Sequence, residues 1–81
     1  MSKILLIEDD VEIQNLIKTY LEQAGFEVIT TALPDDALDI IKEQRNSIEL
    51  IILDLGLPQM DGLELCKKIR AQYKIPIIIS S

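Results

Sequence analysis

Ile4-Leu5-Leu6-Ile7-Glu8-Asp9-Asp10 is an unbroken apolar run that stops at three carboxylates, and Leu50-Ile51-Ile52-Leu53-Asp54 repeats the pattern with one. Apolar continuity without alternation suits a strand covered on both faces, as in a parallel sheet. If both runs are parallel strands of one sheet, Glu8, Asp9 and Asp54 converge outside the same edge, where open α/β sheets place their ligand sites. Carboxylates gathered that closely repel one another unless a cation lies among them. The two segments thus predict a fold and a metal together.

Between and beyond these strands the hydrophobic period changes. From Val11, the residues Ile13, Leu16, Ile17, Tyr20, Leu21 and Ala24 keep the three-four spacing of one helix face, with Glu12, Lys18, Glu22 and Gln23 opposite, and Gly25 supplies the stop. Phe26 to Thr30 alternates with polar residues and predicts a second strand, exposed on one side, at an edge. Pro34 suits the first turn of a helix whose stripe Ala37, Leu38, Ile41 ends near Arg45-Asn46. After a loop containing Gly56, Pro58 and Gly62, the residues Leu65, Cys66, Ile69 and Tyr73 mark a third helix, and Pro76 to Ser80 opens a fourth strand. Strand and helix alternate throughout, which predicts right-handed crossovers and a parallel sheet with helices on both faces. Ile77, Ile78 and Ile79 end the chain on a hydrophobic strand with no finishing element, so the sequence reads as cut after its fourth strand.

Composition narrows the function. With 14 acidic against 8 basic residues the net charge is −6, and no basic stripe interrupts it, so phosphate backbones would be repelled and nucleic-acid binding by this segment is not expected. No signal-like start and no bilayer-length apolar stretch is visible, which predicts a cytoplasmic location without membrane attachment. The lone Cys66 lies in a helical pattern where a small buried hydrophobe belongs.

The segments Ile4 to Asp10, Ile51-Ile52-Leu53-Asp54-Leu55-Gly56-Leu57-Pro58-Gln59-Met60-Asp61-Gly62 and Ile75-Pro76-Ile77-Ile78-Ile79-Ser80-Ser81 together resemble the receiver domain of two-component response regulators, and the match runs the length of the chain. The resemblance implies a flavodoxin-like, doubly wound parallel sheet of order 2-1-3-4, an incomplete three-layer α/β/α domain without its fifth strand. Residues 1–81 would be the N-terminal part of a receiver, with no output domain. It also implies the roles. Asp54 would be phosphoacceptor and metal ligand, taking a phosphoryl group from a histidine kinase; Asp9 would bind Mg²⁺ directly, Glu8 through water, and Gly56 by its backbone carbonyl. Ser81 takes the position that contacts a phosphoryl oxygen, although a terminal residue is weakly held. Gly56 stands where receivers often carry Met or Asn, which would leave an acyl phosphate more open to water. The family's Lys at the end of the fifth strand has no counterpart.

Bland roles compete for some of these residues. Asp9 with Glu12, and Asp61 with Glu64, both match a helix capping box, and Asp10 suits a helix start better than a metal. The reading that follows is a phosphoacceptor signalling module, not a turnover enzyme, impaired in phosphotransfer and switching as a fragment, whose parent would carry an output domain such as a transcription regulator. The alternative is a degenerate receiver-like interaction module without phosphorylation. A Mg²⁺-dependent phosphohydrolase with an Asp nucleophile is a third reading, and Gly56 counts against it by occupying the place of a second Asp. The free edge of the fourth strand and a bare sheet face further predict a homo-oligomer.

Overall fold

A computed structural model of the chain describes residues 2–54 and 62–80. Gly56, Pro58, Asp61 and Ser81 lie outside them. The elements follow the expected alternation: β1 Lys3–Ile7, α1 Val11–Gln23, β2 Glu27–Thr31, α2 Pro34–Gln44, β3 Ile48–Asp54, α3 Gly62–Gln72 and β4 Ile77–Ser80. All strand pairs are parallel and the sheet order is β2-β1-β3-β4, as the resemblance implied.

Strand alternation divides the apolar residues between the two faces. Leu5 and Ile7 of β1 with Ile51 and Leu53 of β3 form one core with Ala37 and Ile41 of α2 and Leu65, Cys66 and Ile69 of α3. Ile4 and Leu6, also buried, point to the other face, which α1 covers. Burying whole Leu and Ile side chains at about 1.5–3 kcal/mol each makes β1 and β3 the rigid centre from which the acidic residues project.

Element ends differ from the sequence reading in ways the hydrogen bonds explain. Phe26 is not in β2: its N–H bonds the Leu21 carbonyl at 3.1 Å while Gly25 N–H bonds the Glu22 carbonyl at 3.0 Å. With Gly25 at φ +98° this is a Schellman closure of α1, and it consumes the residue expected to begin the strand. β3 starts two residues earlier than its apolar run, at Ile48, because Ile48 is buried although polar Ser47 and Glu49 flank it. Pro76 lies just before β4; its carbonyl nonetheless accepts from Ile51 N–H at 2.9 Å.

The face of α1 is the larger correction. Of the apolar face read from the sequence, Ile17 and Leu21 turn toward the sheet, whereas Leu16 and Tyr20 are 69% and 74% exposed and α1 has no fully buried residue. Its least exposed line runs through Gln14, Ile17, Lys18 and Leu21, an i, i+3, i+4, i+7 series turned toward the polar side of the expected stripe. Lys18, expected on the outer face, is half-buried on this line, and so is a polar residue, Gln14, close to the acidic end of β1.

Candidate metal and phosphoacceptor site

Parallel register brings the two acidic strand ends together. Ile7 of β1 pairs with Leu53 of β3, so the next residues, Glu8 just past β1 and Asp54 at the end of β3, stand side by side. Asp9 follows in the turn to α1. One carboxylate oxygen from each of Glu8, Asp9 and Asp54 lies within 4.8 Å of the others. β1 and β3 are also the strands between which the chain's winding reverses, the place where a crevice opens in a doubly wound sheet.

The three carboxylates differ in environment. Glu8 is 6% exposed, Asp54 half-buried and Asp9 exposed, so the cluster grades from protein interior to solvent. Burial is the main cause that lifts the Glu8 carboxyl to about 7, followed by its hydrogen bond to Asp54; the Asp54 charge and a bond to Asp9 act in the same direction, while the Asp10 N–H opposes them. Near neutral pH, without a cation, Glu8 therefore carries a proton part of the time and hands it to Asp54 as a hydrogen bond.

The donor set fits a small hard cation. Octahedral Mg²⁺ with ligands at about 2.0–2.1 Å spaces neighbouring ligand oxygens about 3 Å apart and opposite ones about 4 Å. Three oxygens within 4.8 Å need only a small contraction, or one intervening water, to meet that geometry. All-oxygen ligation with one solvent-facing side suits Mg²⁺, which keeps several waters, better than a site for zinc.

The loop carrying Glu8 and Asp9 is tightly held. Asp10, not Asp9, caps α1: its Oδ1 accepts from Glu12 N–H at 2.9 Å and from Ile13 N–H at 3.3 Å. The capping-box role weighed for Asp9 is thereby taken by its neighbour. Glu8 N–H bonds the Thr31 carbonyl at 3.0 Å, and Gln14 Nε2 donates to the Glu8 carbonyl at 3.0 Å. Sequence reasoning passed over Thr31 and Gln14; a polar residue in line with Ile17 and Leu21 was the available sign for Gln14.

Asp54 stands opposite Ser80 in the β3–β4 register, which makes Ser80 a strand residue as expected. The remaining expected participants, Gly56 and Ser81, lie outside the described residues. A separate cleft of about 670 Å³ opens at the other end of the sheet among Arg45, Asn46, Ile48, Tyr73, Lys74 and Pro76. No member of the acidic cluster lines it. It sits just beyond the C-termini of α2 and α3, where Arg45 and Lys74 complement the negative ends of the helix dipoles.

Comparison with known proteins agrees with this geometry. The family described as the response regulator receiver domain matches residues 4–81. The chain is 42% identical over 79 residues to the transcriptional regulatory protein AfsQ1 of Streptomyces coelicolor, covering 98% of this chain and 34% of that protein. It thus spans about a third of that relative's length. The BeF3-activated N-terminal receiver domain of Klebsiella pneumoniae RstA superposes with a TM-score of 0.88 at 36% identity, covering 96% of this chain and 65% of that one. A structure of the histidine kinase ThkA in complex with the response regulator protein TrrA gives a TM-score of 0.86 at 32% identity, over 98% of this chain and 67% of the other. By sequence, strand order and the place of its acidic cluster, the chain belongs to the response regulator receiver domain family.

Proposed function

We propose that the chain is a phosphoacceptor module of a two-component system, receiving a phosphoryl group on Asp54 from the phosphohistidine of a histidine kinase. The observation that carries this reading is the convergence of Glu8, Asp9 and Asp54 at the ends of two adjacent parallel strands. Asp9 and Asp54 would hold Mg²⁺ directly, Glu8 through water, with the Gly56 carbonyl as the further protein ligand. Bound there, the cation supplies positive charge between two anions that would otherwise repel. An Asp54 carboxylate oxygen attacks phosphorus; the new O–P bond forms as the N–P bond breaks, and its electron pair returns to the donor imidazole. The half-buried position of Asp54 at the rigid end of β3 holds the nucleophile in place while leaving one side open.

Transfer to this 81-residue chain by itself should be slow. The six lysines, Lys3, Lys18, Lys42, Lys67, Lys68 and Lys74, stand in helices or at the opposite strand ends. Lys3, for example, is engaged by Glu27 at 3.3 Å and Gln44 at 3.0 Å. Loss of one fixed electrostatic donor costs on the order of ten- to a thousandfold in rate. The module signals by carrying the acyl phosphate to a readout and does not turn over substrate. In the parent protein that readout would be an output domain, a transcription regulator being the model offered by AfsQ1's name. The setting is cytoplasmic; among the described residues no helix is long and apolar enough to cross a membrane.

Incubation with Mg²⁺ and acetyl phosphate, read by intact mass, tests the assignment. A slowly formed adduct, absent in Asp54→Asn, supports it; catalytic release of phosphate without an adduct would favour the phosphohydrolase reading. Neither product, even with the C-terminal part of a receiver supplied in trans, would favour the degenerate interaction module. Self-association belongs to the same reading. For a protein made of these 81 residues alone, β4 would be a free sheet edge with Ile78 54% exposed and α1 would leave Leu16 and Tyr20 uncovered, so copies would pair through that edge or face.

A further inference from the structure

Asp9 is the exposed member of the acidic cluster, and a three-residue turn, Glu8 to Asp10, sets the direction of its carboxylate. One residue grips that turn at both ends. The backbone N–H of Gln14 donates to the Asp10 carbonyl at 2.8 Å, the first helical bond of α1, while its side-chain Nε2 donates to the Glu8 carbonyl at 3.0 Å. The carboxamide orientation is forced, because the reverse flip would set its oxygen against a carbonyl oxygen. The Asp9 residue is thus spanned from both sides by Gln14.

The other bonds to this segment come from outside the turn or from within it. Thr31 C=O holds Glu8 N–H at 3.0 Å from β2, and Glu8 Oε2 accepts from Asp10 N–H at 3.3 Å. Asp10 Oδ1 ties the end of the segment to the first turn of α1 through Glu12 and Ile13 N–H, whereas Gln14 reaches back from α1 to its beginning at Glu8, and it lies on the sheet-facing line with Ile17 and Leu21, which fixes its approach. We propose that Gln14 is a positioning residue of the cation site, holding the Glu8–Asp9 segment so that its carboxylates meet Asp54 across one ion. The inference rests on the cation-site reading above. It predicts that removing the carboxamide weakens metal binding without a matching loss of fold stability, since residues that orient ligands without touching the metal contribute about ten- to a hundredfold in affinity.

The test compares wild type, Gln14→Met and Gln14→Arg by Mg²⁺ titration calorimetry and by thermal unfolding in EDTA. Gln14→Met keeps the length and loses the donor; Gln14→Arg restores a donor. The expected result is about tenfold weaker Mg²⁺ binding in Gln14→Met, recovery in Gln14→Arg, and an EDTA midpoint close to wild type in both. Should Gln14→Met fail to fold, Gln14→Ala keeps helix propensity and removes the same bond. A metal-free midpoint that drops while Mg²⁺ affinity stays unchanged would make Gln14 a purely structural strut and overturn the proposal alone. Wild type that binds no Mg²⁺ would overturn the cation site, and this role with it.

Discussion

Replacing Glu8 with Gln should stabilise the metal-free protein by about 3 kcal/mol at about pH 8 and change it little near pH 4. The carboxyl rises from 4.5 to about 7 on folding, and each tenfold change in proton affinity is worth about 1.4 kcal/mol. Because the folded-state value is the higher one, the native protein binds more protons than the unfolded chain between those limits. The contribution of Glu8 to stability is therefore greatest below 4.5, falls as pH rises, and levels off above about 7, where the buried carboxylate is charged beside Asp54. Gln reproduces the protonated form: its amide can donate to Asp54 as the carboxylic acid does, and its oxygen can still accept from Asp10 N–H. It stays neutral at every pH.

Urea unfolding followed by circular dichroism in EDTA, repeated across this range, measures the effect directly. The stability of wild type relative to Glu8→Gln should fall between about pH 4.5 and 7, the two curves meeting at the acid end. Saturating Mg²⁺ should reverse the order at neutral pH, since the cation favours the charged carboxylate and stabilises only the folded state. A difference between the two proteins that stays constant through the window, or a Gln variant less stable than wild type at about pH 8, would refute the account of Glu8 as a carboxyl kept partly protonated by burial and by Asp54.

Asp9→Asn should abolish the thermal stabilisation that Mg²⁺ confers, and an unchanged Mg²⁺ response in that variant would remove Asp9 as a ligand. Asp10→Ala, which deletes the acceptor for Glu12 and Ile13 N–H, should cost about 1 kcal/mol in chemical unfolding without altering the acceptor chemistry at Asp54. Ile51→Ala, at a fully buried position in β3, should cost about 2–5 kcal/mol, whereas Leu16→Ala on the exposed side of α1 should stay within about 0.5 kcal/mol. Ile78→Lys should lower the sedimentation coefficient of the protein at micromolar concentration if copies associate through β4.

What was legible in the sequence was whatever a side chain declares by type and spacing. Strand cores β1 and β3 are continuous apolar runs because both their faces are covered, and the acidic residues stand out because they end those runs. Strand order is different in kind: nothing in the spacing of Ile4 to Ile7 or Ile51 to Leu53 says that β1 and β3 are neighbours, and the resemblance supplied it. Ends of elements escaped for a related reason. Phe26 looks like a strand residue by composition, but its N–H is spent on closing α1, and a backbone bond leaves no mark on residue type.

The same distinction explains why the convergence of Glu8, Asp9 and Asp54 was legible while the bonds that support it were not. Glu8, Asp9 and Asp54 stand out by charge, which composition reveals; Gln14 and Thr31 contribute through bonds to one backbone unit, Glu8. Reading α1 by hydrophobicity placed its buried stripe around Leu16 and Tyr20, since an apolar residue contributes to such a stripe whether or not anything covers it. The sheet-facing line of Gln14, Ile17, Lys18 and Leu21 instead includes two polar residues, one bonded to the Glu8 carbonyl and one whose long stem can lie over apolar surface. Within the described residues, the Asp10 cap and the bond from Gln14 to the Glu8 carbonyl fix the first turn of α1 against β1, while Leu16 and Tyr20 face away from the sheet.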